Sequence, residues 1–242
     1  MGDSRDAAKA AAAHHAVERY VRPGGRLALG TGSTAELAVR AIRSLYPSAT
    51  FDCVASSAAT ERLAASLGLP VRPLRGDDRF DLMLDGADEV SPTLDLTKGG
   101  GGALLREKAL ACLARRLVIV VDESKLVGAL GERAAIPVEV VPYCRPVLER
   151  QLAADGFAPR LRPAPGGGAF ITENGNEILD LVPAQPLLRP AEAERALRSR
   201  IGVVETGLFV GLAERVVVGV ASGAVRVLRR PVTKTLSRPT EA

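Results

Sequence analysis

Hydrophobic and polar positions alternate with a period that changes several times along the chain, and each change marks an element boundary. Residues 6–21 mix alanine with scattered charges at helical spacing, and Pro23, Gly24 and Gly25 stop that helix. Residues 26–29 form a short apolar strand running into Gly30-Thr31-Gly32-Ser33-Thr34, after which residues 35–45 resume helical spacing. The grammar then repeats. Residues 51–55 read as a strand, 57–67 as a helix closed by Gly68, 80–84 as a strand, 104–113 as a helix and 117–121 as a strand. Strands alternating with helices need crossover connections, so the pattern predicts an α/β fold with a Rossmann-like, mostly parallel sheet.

Beyond Pro137 the pattern shifts to short strands at 138–141, 157–161 and 170–181, with Asn174-Gly175 as a hairpin turn. Helices are expected at 146–154 and 191–200, and strands at 203–209, 216–220 and 225–228. This predicts a smaller α+β, ferredoxin-like domain at 137–200, set into a Rossmann-like catalytic domain made of 1–136 and 201–242. The last strands are expected to return to the main sheet. Residues 229–242, rich in Arg, Pro and Thr, read as a frayed tail.

Composition narrows the function. The 242 residues are 47% hydrophobic and 25% charged, enough to bury a core in water. The net charge of +4 comes from basic residues interspersed with acids, and aromatics are 3% with no Trp, which argues against a nucleic-acid binder. Cys53, Cys112 and Cys144 are odd in number and far apart, so they read as small core fillers in a reducing cytoplasm rather than as disulfides or zinc ligands. His14 and His15 read as surface residues. The N-terminal residues lack the apolar run of a signal peptide, and no segment approaches the ~18 uncharged apolar residues of a membrane span. Among the basic residues 27 are Arg and 5 are Lys, so each Lys in an unusual setting draws interest.

Four segments can carry chemistry. Gly30-Thr31-Gly32-Ser33-Thr34-Ala35 fits the loose dinucleotide fingerprint, with Asp52 twenty residues after Gly32, but the same turn serves any phosphate at a helix N-terminus. Asp85-Gly86-Ala87-Asp88-Glu89 places carboxylates at the carboxyl edge of a parallel strand, where α/β sheets bind ligands; a solvated Asx turn or a divalent-metal site would use the same residue types. Lys98 is followed by four glycines, Gly99 to Gly102, a backbone costly to order unless something must approach it closely. Helical tilt can lean the Glu107 carboxylate back toward that loop. Asp122-Glu123-Ser124-Lys125 lies at another strand's carboxyl edge, with Lys125 either a phosphate partner or a solvated loop residue.

Together with Pro137-Val138-Glu139-Val140-Val141-Pro142, these segments resemble, in order and spacing, the A-type ribose-5-phosphate isomerases. The likeness continues through Thr172–Asp180 and Gly202–Phe209, with Ile201 standing where a Pro is common. The resemblance implies interconversion of D-ribose 5-phosphate and D-ribulose 5-phosphate through an enediolate, in the non-oxidative pentose phosphate pathway, with no metal or cofactor. It implies Glu107 as the base, with Asp85, Asp88 and Lys98 also catalytic. It implies a sugar site of Asp85, Gly86, Ala87, Asp88, Lys98, Gly99, Gly100 and Gly101, and a phosphate site of Thr31, Gly32, Ser33, Thr34 and Lys125. A cytoplasmic homodimer or dimer of dimers, with the small domain at the interface, is also expected. Two other readings remain open to the residues: a sugar-phosphate-sensing module on the same scaffold, and a nicotinamide-dependent dehydrogenase using Gly30 to Ala35.

Overall fold

The computed structural model describes residues 2–230 and arranges them in three sheets. Along the chain run α1 (Gly2–Tyr20), β1 (Arg26–Leu29), α2 (Ser33–Leu45), β2 (Asp52–Ala55), α3 (Ala58–Ser66), β3 (Leu82–Asp85), β4 (Glu89–Val90), β5 (Leu96–Thr97), α4 (Leu104–Leu113) and β6 (Leu117–Asp122). There follow β7 (Ile136–Val140), α5 (Arg145–Ala154), β8 (Phe157–Leu161), β9 (Glu177–Pro183), α6 (Pro190–Arg198), β10 (Val203–Thr206), β11 (Leu208–Phe209), β12 (Ala213–Gly219) and β13 (Val225–Arg229).

The main sheet has six strands in the order β13-β12-β6-β3-β1-β2, parallel except for the β12–β13 pair at one edge. Its central strand β6, Leu-Val-Ile-Val-Val-Asp, is buried at every position, as a strand covered on both faces must be. One face packs on α1 and α2, where Ala35, Ala38, Val39 and Ile42 form the apolar stripe of α2. The other face buries Phe80, Met83, Leu110, Ile119 and Phe209. Among the described residues, no helix is long and apolar enough to cross a membrane.

A four-stranded antiparallel sheet, β10-β7-β9-β8, forms the smaller unit with α5 and α6 over a separate core that includes Val138, Leu148, Leu179 and Leu197. The structure corrects the expected course of the last strands. Val203–Thr206 pairs antiparallel with β7 in the small sheet, and Leu208–Phe209 pairs with β5, so the chain returns to the main sheet only at β12. Apolar spacing marks a strand but carries no record of its partner. Within 170–181 the expected Asn174-Gly175 turn is present, with Ile171 bridging antiparallel to Glu177 across it, but regular strand is confined to β9 after the turn. Of the cysteines, Cys53 is buried, Cys144 half-buried and Cys112 exposed, so Cys112 is no core filler. Residues 231–242, most of the expected tail, lie outside the described residues.

Candidate active site

The chain leaves β1 toward one edge of the main sheet and, after β3, continues toward the other, so the carboxyl ends of β1 and β3 flank a crevice of the kind where α/β sheets bind ligands. Gly30 closes β1, and its N–H donates to the Leu84 carbonyl at 2.9 Å. A Cβ at Gly30 would lie 2.1 Å from Asp85, so only glycine lets the two strand ends sit this close. Thr60 Oγ1 donates to the Gly30 carbonyl at 2.8 Å, and Ser56 Oγ lies 2.7 Å from Thr31 Oγ1, pinning the turn from behind. At the start of α2 the N-cap is Gly32, with φ 95° and no side-chain cap, whereas α3 is capped by the Ser57 hydroxyl. The first N–H groups of α2 thus remain available to an anion, favoured further by the helix dipole.

Opposite this turn stands a buried charge cluster. Asp85, fully buried at the end of β3, accepts through Oδ1 from Gly86 N–H at 2.8 Å and Thr31 N–H at 3.2 Å. Its Oδ2 lies 2.9 Å from Lys98 Nζ, which also donates to the Gly86 carbonyl at 2.9 Å and lies 3.1 Å from Glu107 Oε2. One ammonium therefore sits between two carboxyl groups. Burial pushes the Glu107 carboxyl up to about 7; Lys98 opposes that rise, and the negative charge of Asp85 adds to it. Burial also raises Asp85, against Lys98 and its two backbone donors. The two backbone donors favour the charged form of Asp85. For Lys98 burial acts downward, but the attraction of Asp85 and Glu107 exceeds it and holds the ammonium above its ordinary value.

Asp88 N–H donates to the Thr97 carbonyl, and its Oδ2 accepts from Gly100 N–H at 2.9 Å, tying the carboxylate turn to the glycine loop. A cavity of about 130 Å³ is lined by Thr31 to Thr34, Gly86, Ala87, Asp88, Lys98 to Gly101, Glu107 and Lys125. Every residue expected to touch the ligand lines it except Asp85, which sits behind Lys98. Lys9 of α1 lines it too, a residue the sequence reading passed over. The available signal was lysine scarcity, since three of the five lysines meet here. Glu89 turns away. Its carboxylate accepts from the N–H groups of Gly131, Arg133 and Ala134 at 2.6–2.8 Å, and among the described residues no three His, Cys, Asp or Glu side chains group as metal ligands would. Asp52, the acid expected of a dinucleotide site, is engaged by Arg72.

A carboxyl raised toward neutrality by burial, beside a helix N-terminus suited to an anion, is an arrangement that fits the class of sugar-phosphate isomerases. The family model for ribose 5-phosphate isomerase A (phosphoriboisomerase A) matches residues 52–223. Ribose-5-phosphate isomerase A of Thermomicrobium roseum is 46% identical over 96% of this chain and 97% of its own length, and that of Chloroflexus aurantiacus is 45% identical over 93% and 94%. Among solved structures, ribose 5-phosphate isomerase A of Methanocaldococcus jannaschii superposes with a TM-score of 0.85 at 37% identity, covering 92% of this chain and 98% of that one. A D-ribose-5-phosphate isomerase solved in complex with phospho-erythronic acid gives 0.89 at 31% identity, covering 93% and 99%. The chain belongs to the ribose 5-phosphate isomerase A family.

Proposed function

We infer that the chain interconverts D-ribose 5-phosphate and D-ribulose 5-phosphate through an enediolate, in the non-oxidative pentose phosphate pathway. The observation that carries this reading is Glu107, buried yet lining the cavity, with its carboxyl near neutrality and Lys98 Nζ 3.1 Å away. As a carboxylate Glu107 takes the proton from C2 of the open-chain aldose, and as an acid it returns it to C1. Lys98 faces the oxygens on which negative charge develops, a contribution of a few kcal/mol per well-placed donor. Asp88, at the cavity wall, exchanges the hydroxyl protons of ring opening. Asp85 acts through Lys98, fixing the ammonium rather than touching the sugar. The α2 N-terminus with Ser33, Thr34, Lys9 and Lys125 takes the phosphate.

The finer assignments follow the same reading. The three free thiols suit a reducing cytoplasm. On the small unit Tyr143 and Ile201 are 93% and 91% exposed beside Val147, an apolar surface suited to pairing with a second copy of the chain. Sedimentation velocity tests this, with Ile201→Glu expected to yield monomer.

The decisive assay follows ribulose 5-phosphate formed from ribose 5-phosphate without added nucleotide. Wild-type turnover, lowered by at least about a hundredfold in Glu107→Gln while binding of the sugar phosphate persists, is the expected outcome. Binding without turnover in the wild type would restore the sensing-module reading, and dependence on NAD the dehydrogenase reading. Neither alternative is favoured by relatives that match over nearly their full length as isomerases.

A further inference from the structure

We propose that Arg162, on the small antiparallel unit, is a positioning residue for the isomerisation: its guanidinium fixes the peptide planes of the glycine loop that lines the site. The proposal rests on the isomerase reading of that site. Arg162 follows β8 and is clamped by Asp180 of β9, with Nε donating to Oδ2 at 2.9 Å and Nη2 to Oδ1. The remaining nitrogen, Nη1, donates to the carbonyl of Gly99 at 2.8 Å and to that of Gly100 at 3.2 Å. The side chain is only 13% exposed, and the guanidinium lies 5.9 Å from the centroid of Phe170, whose ring edge occupies the space a Cβ on Gly102 would need.

The consequence follows from peptide geometry. All the described peptides are trans, so each N–H points away from the carbonyl of the same plane. With the Gly99 carbonyl held toward Arg162, the Gly100 N–H must face the other way, and there it meets Asp88 Oδ2 at 2.9 Å. With the Gly100 carbonyl held likewise, the N–H of Gly101, a residue lining the cavity, is turned away from Arg162. Within the loop the Gly102 N–H also donates to the Gly99 carbonyl at 2.9 Å, whereas the Gly100 carbonyl is held by Arg162 on a backbone otherwise free to flip. A planar fork with five donors can grip a carboxylate with one edge and two carbonyls with the third nitrogen, whereas an ammonium cannot span all four acceptors. Arg162 thereby bears on both the aim of the Gly101 N–H at the cavity wall and the seat of Asp88 without touching the ligand.

The test compares Arg162→Gln and Arg162→Lys with wild type in three readouts. In steady-state kinetics both variants should lose about tenfold to a hundredfold in kcat, the scale of a misplaced active-site group, with KM changed less than about threefold. Affinity for phospho-erythronic acid, whose carboxylate stands in for the enediolate oxygens, should fall in step with kcat, while affinity for inorganic phosphate stays put. In ¹H–¹⁵N spectra the Gly100 amide, bonded to Asp88, should shift in both variants, with the amides of Ser33 and Thr34 unmoved. Near-wild-type kcat in Arg162→Lys, or an unmoved Gly100 amide in either variant, would overturn the proposal. If Arg162→Gln does not fold, Arg162→Lys, which keeps a cation beside Asp180, decides alone. The amide readout needs no turnover, so a failed clamp is distinguishable from a failed isomerase reading.

Discussion

Lys98 Nζ lies 3.1 Å from Glu107 Oε2, with both side chains all but excluded from solvent. The pair is not a simple salt bridge, because Asp85 competes for the same ammonium from 2.9 Å. Glu107 must lose its proton to act as a base, and its carboxyl stands at about 7, so kcat/KM should fall as pH drops through that value. Asp85→Asn removes a negative neighbour that raises Glu107, and the acid limb should then move to lower pH. A limb unmoved in a folded Asp85→Asn protein would show that the carboxylates are not coupled.

Replacing Glu107 by Gln should lower kcat by about 10²- to 10⁴-fold, the usual worth of a positioned base. It should also raise stability at high pH. The folded protein keeps the Glu107 proton up to about 7, whereas the unfolded chain releases it near 4.5, so wild-type stability declines between those values and stays reduced above them. Glutamine does not titrate. Its advantage should be complete above pH 7, on the order of 1–3 kcal/mol, and vanish below about 4.5. Denaturant unfolding at pH 8 and pH 4 measures both ends.

At the two ends of the cavity, lysine should respond differently to arginine. Lys98 meets two carboxyl groups and a carbonyl in a space fitted to an ammonium, so Lys98→Arg should lower kcat/KM nearly as much as Lys98→Ala. Lys125 is half-buried at the cavity wall, where charge outweighs shape. There Arg should rescue most of the loss, and Ala should mainly raise KM. Equal responses at both positions would remove the proposed division of roles.

Gly30→Ala should be more damaging than a methyl group suggests. The new Cβ would overlap the Asp85 carboxyl at 2.1 Å, and any relief must displace Asp85 and with it Lys98. A cost of about 1–3 kcal/mol in stability is expected of such overpacking. Activity should fall further than that, by at least about tenfold in whatever fraction remains folded. Retained activity would mean that the Asp85 to Lys98 contact is dispensable.

Exhaustive EDTA treatment should leave turnover intact, since Glu89, the third acid of the Asp85–Glu89 turn, is committed to backbone donors of residues 131–134. Loss of activity restored by Mg²⁺ or Mn²⁺ would instead call for a metal at Asp85 and Asp88.

Where the sequence was informative, it was because the signal is local. Gly30 to Thr34 announces a turn between a strand and a helix, and Lys98 with its four glycines announces a close approach, without reference to anything distant. Asp85 shows the limit. Its place at a strand's carboxyl edge is legible, but its withdrawal behind Lys98 depends on an ammonium thirteen residues away filling the intervening space. Lys9 and Arg162 escaped notice for a related reason. One reaches the cavity from the first helix and the other reaches the glycine loop across the small sheet, and neither spacing nor apolar period encodes such meetings. The pairing of Val203–Thr206 with β7 is likewise decided by contact across more than sixty residues.

Three consecutive residues of α4 face three neighbours. Arg106 pairs with Glu173 in the Thr172–Asn176 turn, Lys108 pairs with Glu205 on β10 at 2.8 Å, and Glu107 between them meets Lys98. The carboxyl proposed to move the proton is thus flanked on both sides by contacts to the smaller unit, while the turn proposed to take the phosphate belongs to the parallel sheet. A replacement for the smaller half would have to offer an acid to residue 108, and one to residue 106, to keep these contacts on either side of Glu107, so the two halves do not meet as independent modules.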